Sequence, residues 1–241
     1  MKGPRRYQKG TGWSNTSAAV LCTMVGMACA MAMGVLSRVA WAEQSGFLRF
    51  SEKAIAPKTG VVVKVLDGDT VVLKEGFTVR YLGVDAPEMD HTSRRHDCYA
   101  LQAYERNRAM VLGRSVRLSY DRHLRDDYGR LLAYVTTADG LFVNAQLIRE
   151  GLAYVFRGSE GFSKFDEFVA LQRQAVRERR GLHGQCAVRE ETFYLGNTRS
   201  FIFHRPACAY GAKVHLRHRL EFATRWQALE KGFRPCRRCQ P

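Results

Sequence analysis

The run from Gly60 to Glu88 constrains the fold more than any other part of the chain. VVVKVL, VVLKEG and FTVRYLGV follow one another with only DGDT and short turns between them. Segments this rich in β-branched and alternating apolar residues form strands, and Asp67-Gly68 between two of them signals a hairpin, because both residue types tolerate positive φ. The third strand ends in VRYLGVDAPE, residues 79–88, which places Arg80 near its start and groups Asp85 and Glu88 at its end. Two carboxylates and a guanidinium this close together can hold a hard cation and grip a phosphate. Asp and Pro are also favoured at ordinary turns for backbone reasons, so the remainder of the chain has to decide between the two readings.

Residues 89–98 are polar and loop-like. Tyr99 to Leu112 reads as a helix, with Leu101, Tyr104, Arg108, Val111 and Leu112 at helical spacing and Gly113 as its stop. SVRLSY and RLLAYVT are two further strands joined by DRHLRDDYG, and Asn144 to Glu150 is a short helix ended by Gly151. LAYVF is apolar and extended. Phe165 to Arg180 forms a second long helix, with a stripe of Phe165, Phe168, Val169, Leu171, Gln172, Ala175 and Val176, closed by Gly181. The expected fold class is α+β, mainly β: a five-stranded OB-fold barrel with three helices over residues 59–186, followed by a small zinc-binding domain. Such barrels often bind nucleic acid, but the fold alone hosts many functions.

With 241 residues the chain has room for one ordinary domain and a small one. It carries 38 Lys and Arg against 23 Asp and Glu, a net charge of +15, which points to a polyanionic partner. Sign alone does not separate nucleic acid from an anionic membrane. Residues 1–42 contain Lys2, Arg5, Arg6, Lys9 and Arg38 and no acid, and without them the charge is still +10. That segment has a basic start, an uncharged run from Ser14 to Ser37, and Ala40-Trp41-Ala42 before Glu43, the pattern of an export signal with a peptidase site. The run is long enough for a membrane anchor as the alternative. The body is therefore expected to be secreted or periplasmic, tethered to the membrane if the leader is retained, with residues 43–58 as a linker.

Four pieces now coincide in order: DGDT (67–70), VRYLGVDAPE (79–88), DDYGR (126–130) and VNAQLIREGLAYV (143–155). In combination they resemble the staphylococcal nuclease, or thermonuclease, family over about residues 60–186. The resemblance implies a calcium-dependent phosphodiesterase acting on DNA and RNA. It makes Asp69 and Asp85 the calcium carboxylates and Ala86 the residue whose main-chain carbonyl is a ligand. Glu88 becomes the general base for the attacking water, and Arg80 and Arg130 the phosphate-binding arginines. Asp67 adds a water-mediated or supporting contact. Pro87 keeps Ala86 extended, which suits its part. The sequence departs from the family in the HTSRRHD loop after Glu88 and at Asp127 beside Tyr128. The base-stacking tyrosines are not cleanly matched either, and Tyr128 and Tyr154 are the substrate-binding candidates. A non-catalytic nucleic-acid-binding protein is the alternative. It gains nothing from Asp69, Asp85 and Glu88 facing a polyanion.

After a short linker, AVREET (187–192), residues 193–241 form a distinct unit. His204 and Cys208 lie four apart, and Cys236 and Cys239 form a C-x-x-C about 30 residues further on, a spacing suited to structural zinc. A disulfide between Cys236 and Cys239 is the other reading. So small a unit makes a poor core alone, and a structural metal contributes on the order of 10 kcal/mol of folding free energy. FATRWQALEKGFRPCRRC resembles the end of the metal-binding module of the Ada DNA-repair protein, which implies a structural zinc and a basic DNA-contacting surface. Because His204 takes the first ligand position, methyl acceptance by that residue is not expected. With Cys22 and Cys29 in the leader and three thiols at zinc, Cys98 and Cys186 remain. They are read as a disulfide suited to an exported protein, or as two unpaired buried thiols. His183 beside them reads as structural.

Overall fold

The computed structural model describes residues 56–90, 96–158 and 161–241, so the leader and nearly all of the 43–58 linker lie outside it. Among the described residues no helix is long and apolar enough to cross a membrane. Residues 57–241 form one compact unit. Its first element is a closed barrel of β1 (Thr59–Val65), β2 (Thr70–Leu73), β3 (Thr78–Tyr81), β6 (Leu131–Thr137) and β5 (Ser115–Ser119), in that order. All neighbours run antiparallel except β3 and β6, which are parallel. Val62, Val71, Leu73, Val79, Leu131 and Val135 fill the interior without exposure. Burying each such side chain contributes roughly 1.5–3 kcal/mol.

Three helices fasten the barrel. In α1 (Ala100–Val111) the buried face is Ala100, Ala103, Asn107, Met110 and Val111. Leu101, expected on the apolar stripe, is half exposed instead. The cause is a close approach at Gly68, where an added Cβ would sit 2.6 Å from the Ala86 Cβ and 2.8 Å from that of Ala103. Only a small residue of α1 can face that loop, so the helix turns Ala103 inward. Gly68 does not have positive φ, in contrast to the usual hairpin rationale; it is there because its neighbours leave no room for a side chain. In α2 (Val143–Arg149) the buried Asn144 accepts the Val135 N–H at 2.8 Å and donates to the carbonyls of Leu82 and Ala133. Gly151 ends this turn at φ 67°, and a Cβ there would lie 2.2 Å from the Arg180 carbonyl oxygen.

The third helix, α3 (Phe165–Arg177), buries Phe168, Val169, Gln172, Ala175 and Val176 along one stripe, with Asp166 and Glu167 in its first turn and Arg177 in its last. That charge order suits the helix dipole. A short helix, α4 (Leu182–Gln185), follows, and Cys186 after it is joined to Cys98, just before α1, by a disulfide with Cα atoms 5.9 Å apart.

The C-terminal region builds a four-stranded sheet in the order β10 (Arg219–Phe222), β8 (Tyr194–Asn197), β9 (Ile202–His204) and β11 (Arg234–Pro235). Short helices α5 (Ala209–Ala212) and α6 (Arg225–Glu230) flank it. Its apolar cluster of Tyr194, Phe203, Phe222, Leu229 and Phe233 continues into Val176 of α3. Gln172 makes the join specific. Fully buried, it accepts the Val155 N–H at 2.7 Å and donates to the Leu229 carbonyl at 2.5 Å.

Candidate active site

Two loops carry the acids. The β1–β2 turn holds Asp69, whose N–H donates to Asp67 Oδ1 at 2.9 Å, and the Asp67 carbonyl accepts from Asn107 Nδ2 of α1 at 3.0 Å. Asp85 ends β4 (Val84–Asp85), a two-residue strand paired antiparallel with β7 (Tyr154–Val155). The turns are drawn together by the Ala86 N–H, which donates to Asp69 Oδ2 at 2.6 Å. Arg80, in the middle of β3, spans the gap, with ion pairs of 2.5 Å to Asp69 Oδ2 and 3.2 Å to Asp85 Oδ1. Strand alternation puts Arg80 on the opposite face from the buried Val79 and Tyr81, towards a pocket of about 670 Å³ that Asp69, Asp85, Glu88, Tyr128 and Arg130 also line.

Electrostatics here follow from burial. Asp69 and Asp85 are 3% and 5% exposed. Burial pushes the Asp69 carboxyl up, Asp67 and Asp85 add to the push, and Arg80 opposes it. Burial also works against the Arg80 charge, but Asp69 and Asp85 more than offset this and hold it above its usual range. Sequestered acids need positive charge nearby, and an all-oxygen donor set of this kind suits a hard divalent cation. Asp69 and Asp85 are near enough to share the Arg80 guanidinium and could together hold such a cation. The remaining oxygens would come from main-chain carbonyls such as that of Ala86 and from water.

Glu88 is more open, with its side chain half exposed. Its backbone is clamped to Asp97: the Glu88 N–H donates to Asp97 Oδ2 and the Asp97 N–H donates to the Glu88 carbonyl, each at 3.1 Å. Arg130 lines the pocket with its guanidinium paired to Asp126 at 2.7 Å and 5.4 Å from the Tyr128 ring centre. Tyr128 itself is 86% exposed. Tyr154 departs from the sequence expectation. Its hydroxyl accepts from Arg225 at 3.0 Å, its ring packs edge-on against His183, and it does not line the pocket. The C-terminal region has captured it, and Phe156 occupies the pocket wall two residues further on.

Two arginines absent from the sequence assignment complete the wall. Arg237 pairs with Asp85 Oδ1 at 2.5 Å and with Glu88, and Arg234 lies 3.4 Å from Asp85 Oδ2 with its guanidinium 4.7 Å from the Phe156 ring centre. Both belong to GFRPCRRC, where the cysteine spacing commands attention and no local pattern connects them to acids some 150 positions earlier.

A second centre lies in the C-terminal sheet. Parallel pairing of β11 with β9 sets Pro235 beside Phe203, and so brings Cys236 next to His204. The ligand atoms of His204, Cys208, Cys236 and Cys239 all lie within 4.8 Å of one another, and among the described residues this is the only such cluster of three or more donors. All three cysteines are free thiols, so no Cys236–Cys239 disulfide competes. Burial and the nearby Arg234 hold His204 below its usual pKa, which keeps its imidazole neutral as a ligand must be. Three soft sulfurs and an imidazole closing on one point suit zinc.

Comparison with known proteins agrees with both halves. The family model described as staphylococcal nuclease homologue matches residues 78–185, and that described as metal binding domain of Ada matches 184–241. An uncharacterized endonuclease of Escherichia coli O157:H7 is 33% identical over 126 residues, 51% of this chain and 75% of that protein. A thermonuclease of Staphylococcus intermedius is 34% identical over 136 residues, covering 55% of this chain and 78% of its own length. Endonuclease YncB of Bacillus subtilis (strain 168) is 39% identical over 121 residues, 47% of this chain and 56% of that one. With the closed barrel and its pocket of acids and guanidinium groups, these likenesses define a nuclease, a hydrolase of phosphodiester bonds. The chain belongs to the staphylococcal nuclease family, and its C-terminal region matches the metal binding domain of Ada.

Proposed function

We propose that this enzyme is a calcium-dependent nuclease that hydrolyses DNA or RNA with low sequence specificity and is exported from the cytoplasm. The observation that carries the reading is the shared contact of Arg80 with Asp69 and Asp85 in the pocket. A strongly basic protein has no reason to set acids against a polyanion unless a cation stands between them. Calcium held by Asp69, Asp85 and the Ala86 carbonyl would supply Lewis-acid polarisation of a phosphoryl oxygen. Arg80 and Arg130 neutralise charge that builds on phosphorus, and Glu88, open to solvent and fixed through Asp97, takes the proton from the attacking water. Tyr128 offers its exposed ring to a base.

Glu88→Gln tests this assignment. Cleavage should fall by about 10²–10⁴ while oligonucleotide binding is kept, since a general base contributes on that order. Unchanged turnover would remove Glu88 from the chemistry, and cleavage that persists in a chelator selective for calcium over magnesium would remove the cation. Export rests on the composition of residues 1–42 and is compatible with the Cys98–Cys186 bond. Cell fractionation with N-terminal sequencing separates a cleaved leader from a retained tether, and a wholly cytoplasmic chain would refute export.

A further inference from the structure

The zinc-type turn reaches into the nuclease pocket. Cys236 and Cys239 are ligand candidates, and Arg237 between them places its guanidinium against Asp85 and Glu88. Arg234, on β11 just before the turn, backs it with an 87% buried side chain held against Phe156 and Asp85. The surrounding contacts fix this placement. The Gln240 N–H closes the turn onto the Cys236 carbonyl at 2.8 Å, the Cys236 N–H donates to the Phe203 carbonyl at 2.9 Å, and the Gln240 side chain donates to Asp97, the residue that clamps Glu88.

We propose that Arg237, steadied by Arg234, is a phosphodiester-binding residue of this active site, so that the C-terminal domain supplies a wall of the catalytic pocket. The inference rests on the nuclease function proposed above and adds to it the residues that hold the substrate chain. A guanidinium has five N–H donors in a planar fork, of which Asp85 and Glu88 engage two. The others remain for a phosphate oxygen, the partner whose geometry the fork matches. Position favours the same role. Asp69 and Asp85 share Arg80, and Arg234 and Arg237 bring two guanidinium groups of the C-terminal region to the same acids and the same pocket. The side chain of Arg237 is 45% exposed, open enough to meet a strand lying across the pocket.

The test uses the full chain loaded with zinc and calcium. Single-stranded oligonucleotide binding is measured over a salt series in the Glu88→Gln background, with cleavage kinetics in the wild-type background, for Arg237→Ala, Arg237→Gln and, as a control on the same turn but outside the pocket, Arg238→Ala. Zinc content and melting temperature are followed for each. Arg237→Ala and Arg237→Gln should bind about tenfold more weakly and cut kcat/KM by at least that factor. The slope of log K against log salt should drop by about 0.7, the release expected for one lost phosphate contact on a single strand. Arg238→Ala should match wild type. If Arg237→Ala fails to fold, the glutamine variant decides by the same criteria. Equal or faster cleavage with an unchanged salt slope would mean that Arg237 only covers the acids, and would overturn this inference alone. Absence of calcium-dependent cleavage by the wild-type chain would overturn the nuclease reading and this inference together.

Discussion

Removing the bond between Cys98 and Cys186 should cost as much as a severe core truncation. The two cysteines are 88 residues apart, and their bond encloses the strands β5 and β6 with all of α1, α2 and α3. Cross-linking a loop of that length removes chain entropy from the unfolded state equivalent to about 4 to 5 kcal/mol at 25 °C. Cys98→Ala/Cys186→Ala should therefore lower the free energy of unfolding by about 3–5 kcal/mol, and the melting temperature by on the order of 10 °C for a unit of this size. Equilibrium urea unfolding followed by far-ultraviolet circular dichroism measures both midpoint and slope. Because the bond acts on the unfolded ensemble, the slope should rise as that ensemble expands. A loss below about 1 kcal/mol with an unchanged slope would show that the cross-link is not what restrains the chain, and would refute the argument. Mutation is the right perturbation, since a dithiol reductant would also compete with the three thiols of the C-terminal cluster for a metal.

Two further outcomes follow from buried groups. His183 is 2% exposed, and neither ring nitrogen has a hydrogen-bond partner; burial, helped by Arg225, holds its pKa down from 6.5 to about 3. The folded pKa lies below the unfolded one, so this group's contribution is complete above about pH 6.5 and is lost as pH falls towards 3. Wild type should lose about 3 kcal/mol more than His183→Leu between pH 7 and 4.5 by denaturant titration, at about 1.4 kcal/mol per pH unit; equal losses would contradict it. Gly68→Ala should destabilise the fold by about 1–3 kcal/mol and lower kcat, because the new Cβ forces the Asp69 turn away from Ala86. A wild-type melting temperature and turnover would show that the turn tolerates the methyl group.

The barrel was readable from the sequence because its strands are local signals. The β-branched run VVVKVL and the period-two run SVRLSY mark strands before any partner is known, and the four nuclease-like pieces arrive in order along the chain. The zinc-type set was readable for a similar reason, since an imidazole and a thiol four apart and two thiols three apart restrict where a metal can sit. What escaped depends on contacts between distant segments. Arg237 reads as one basic residue among 38 until the fold brings it to Asp85, and Tyr154 reads as a stacking tyrosine until Arg225 binds its hydroxyl. Gln172 carries no motif, yet it alone bonds β7 to the Leu229 carbonyl. The inward turn of Ala103 in place of Leu101 came from a steric limit at Gly68, which periodicity does not register.

The four-stranded sheet has two margins, and each is poorly suited to recruiting a stray strand. Along one, β11 offers two residues, the second of them Pro235, whose ring nitrogen has no hydrogen to donate. Along the other, β10 carries Arg219 and Glu221, charges that resist stacking of like copies. The barrel closes on itself and presents no rim of unpaired amides. Among the described residues the sheets thus end in short, charged or proline-bearing borders that give a neighbour little to zip onto.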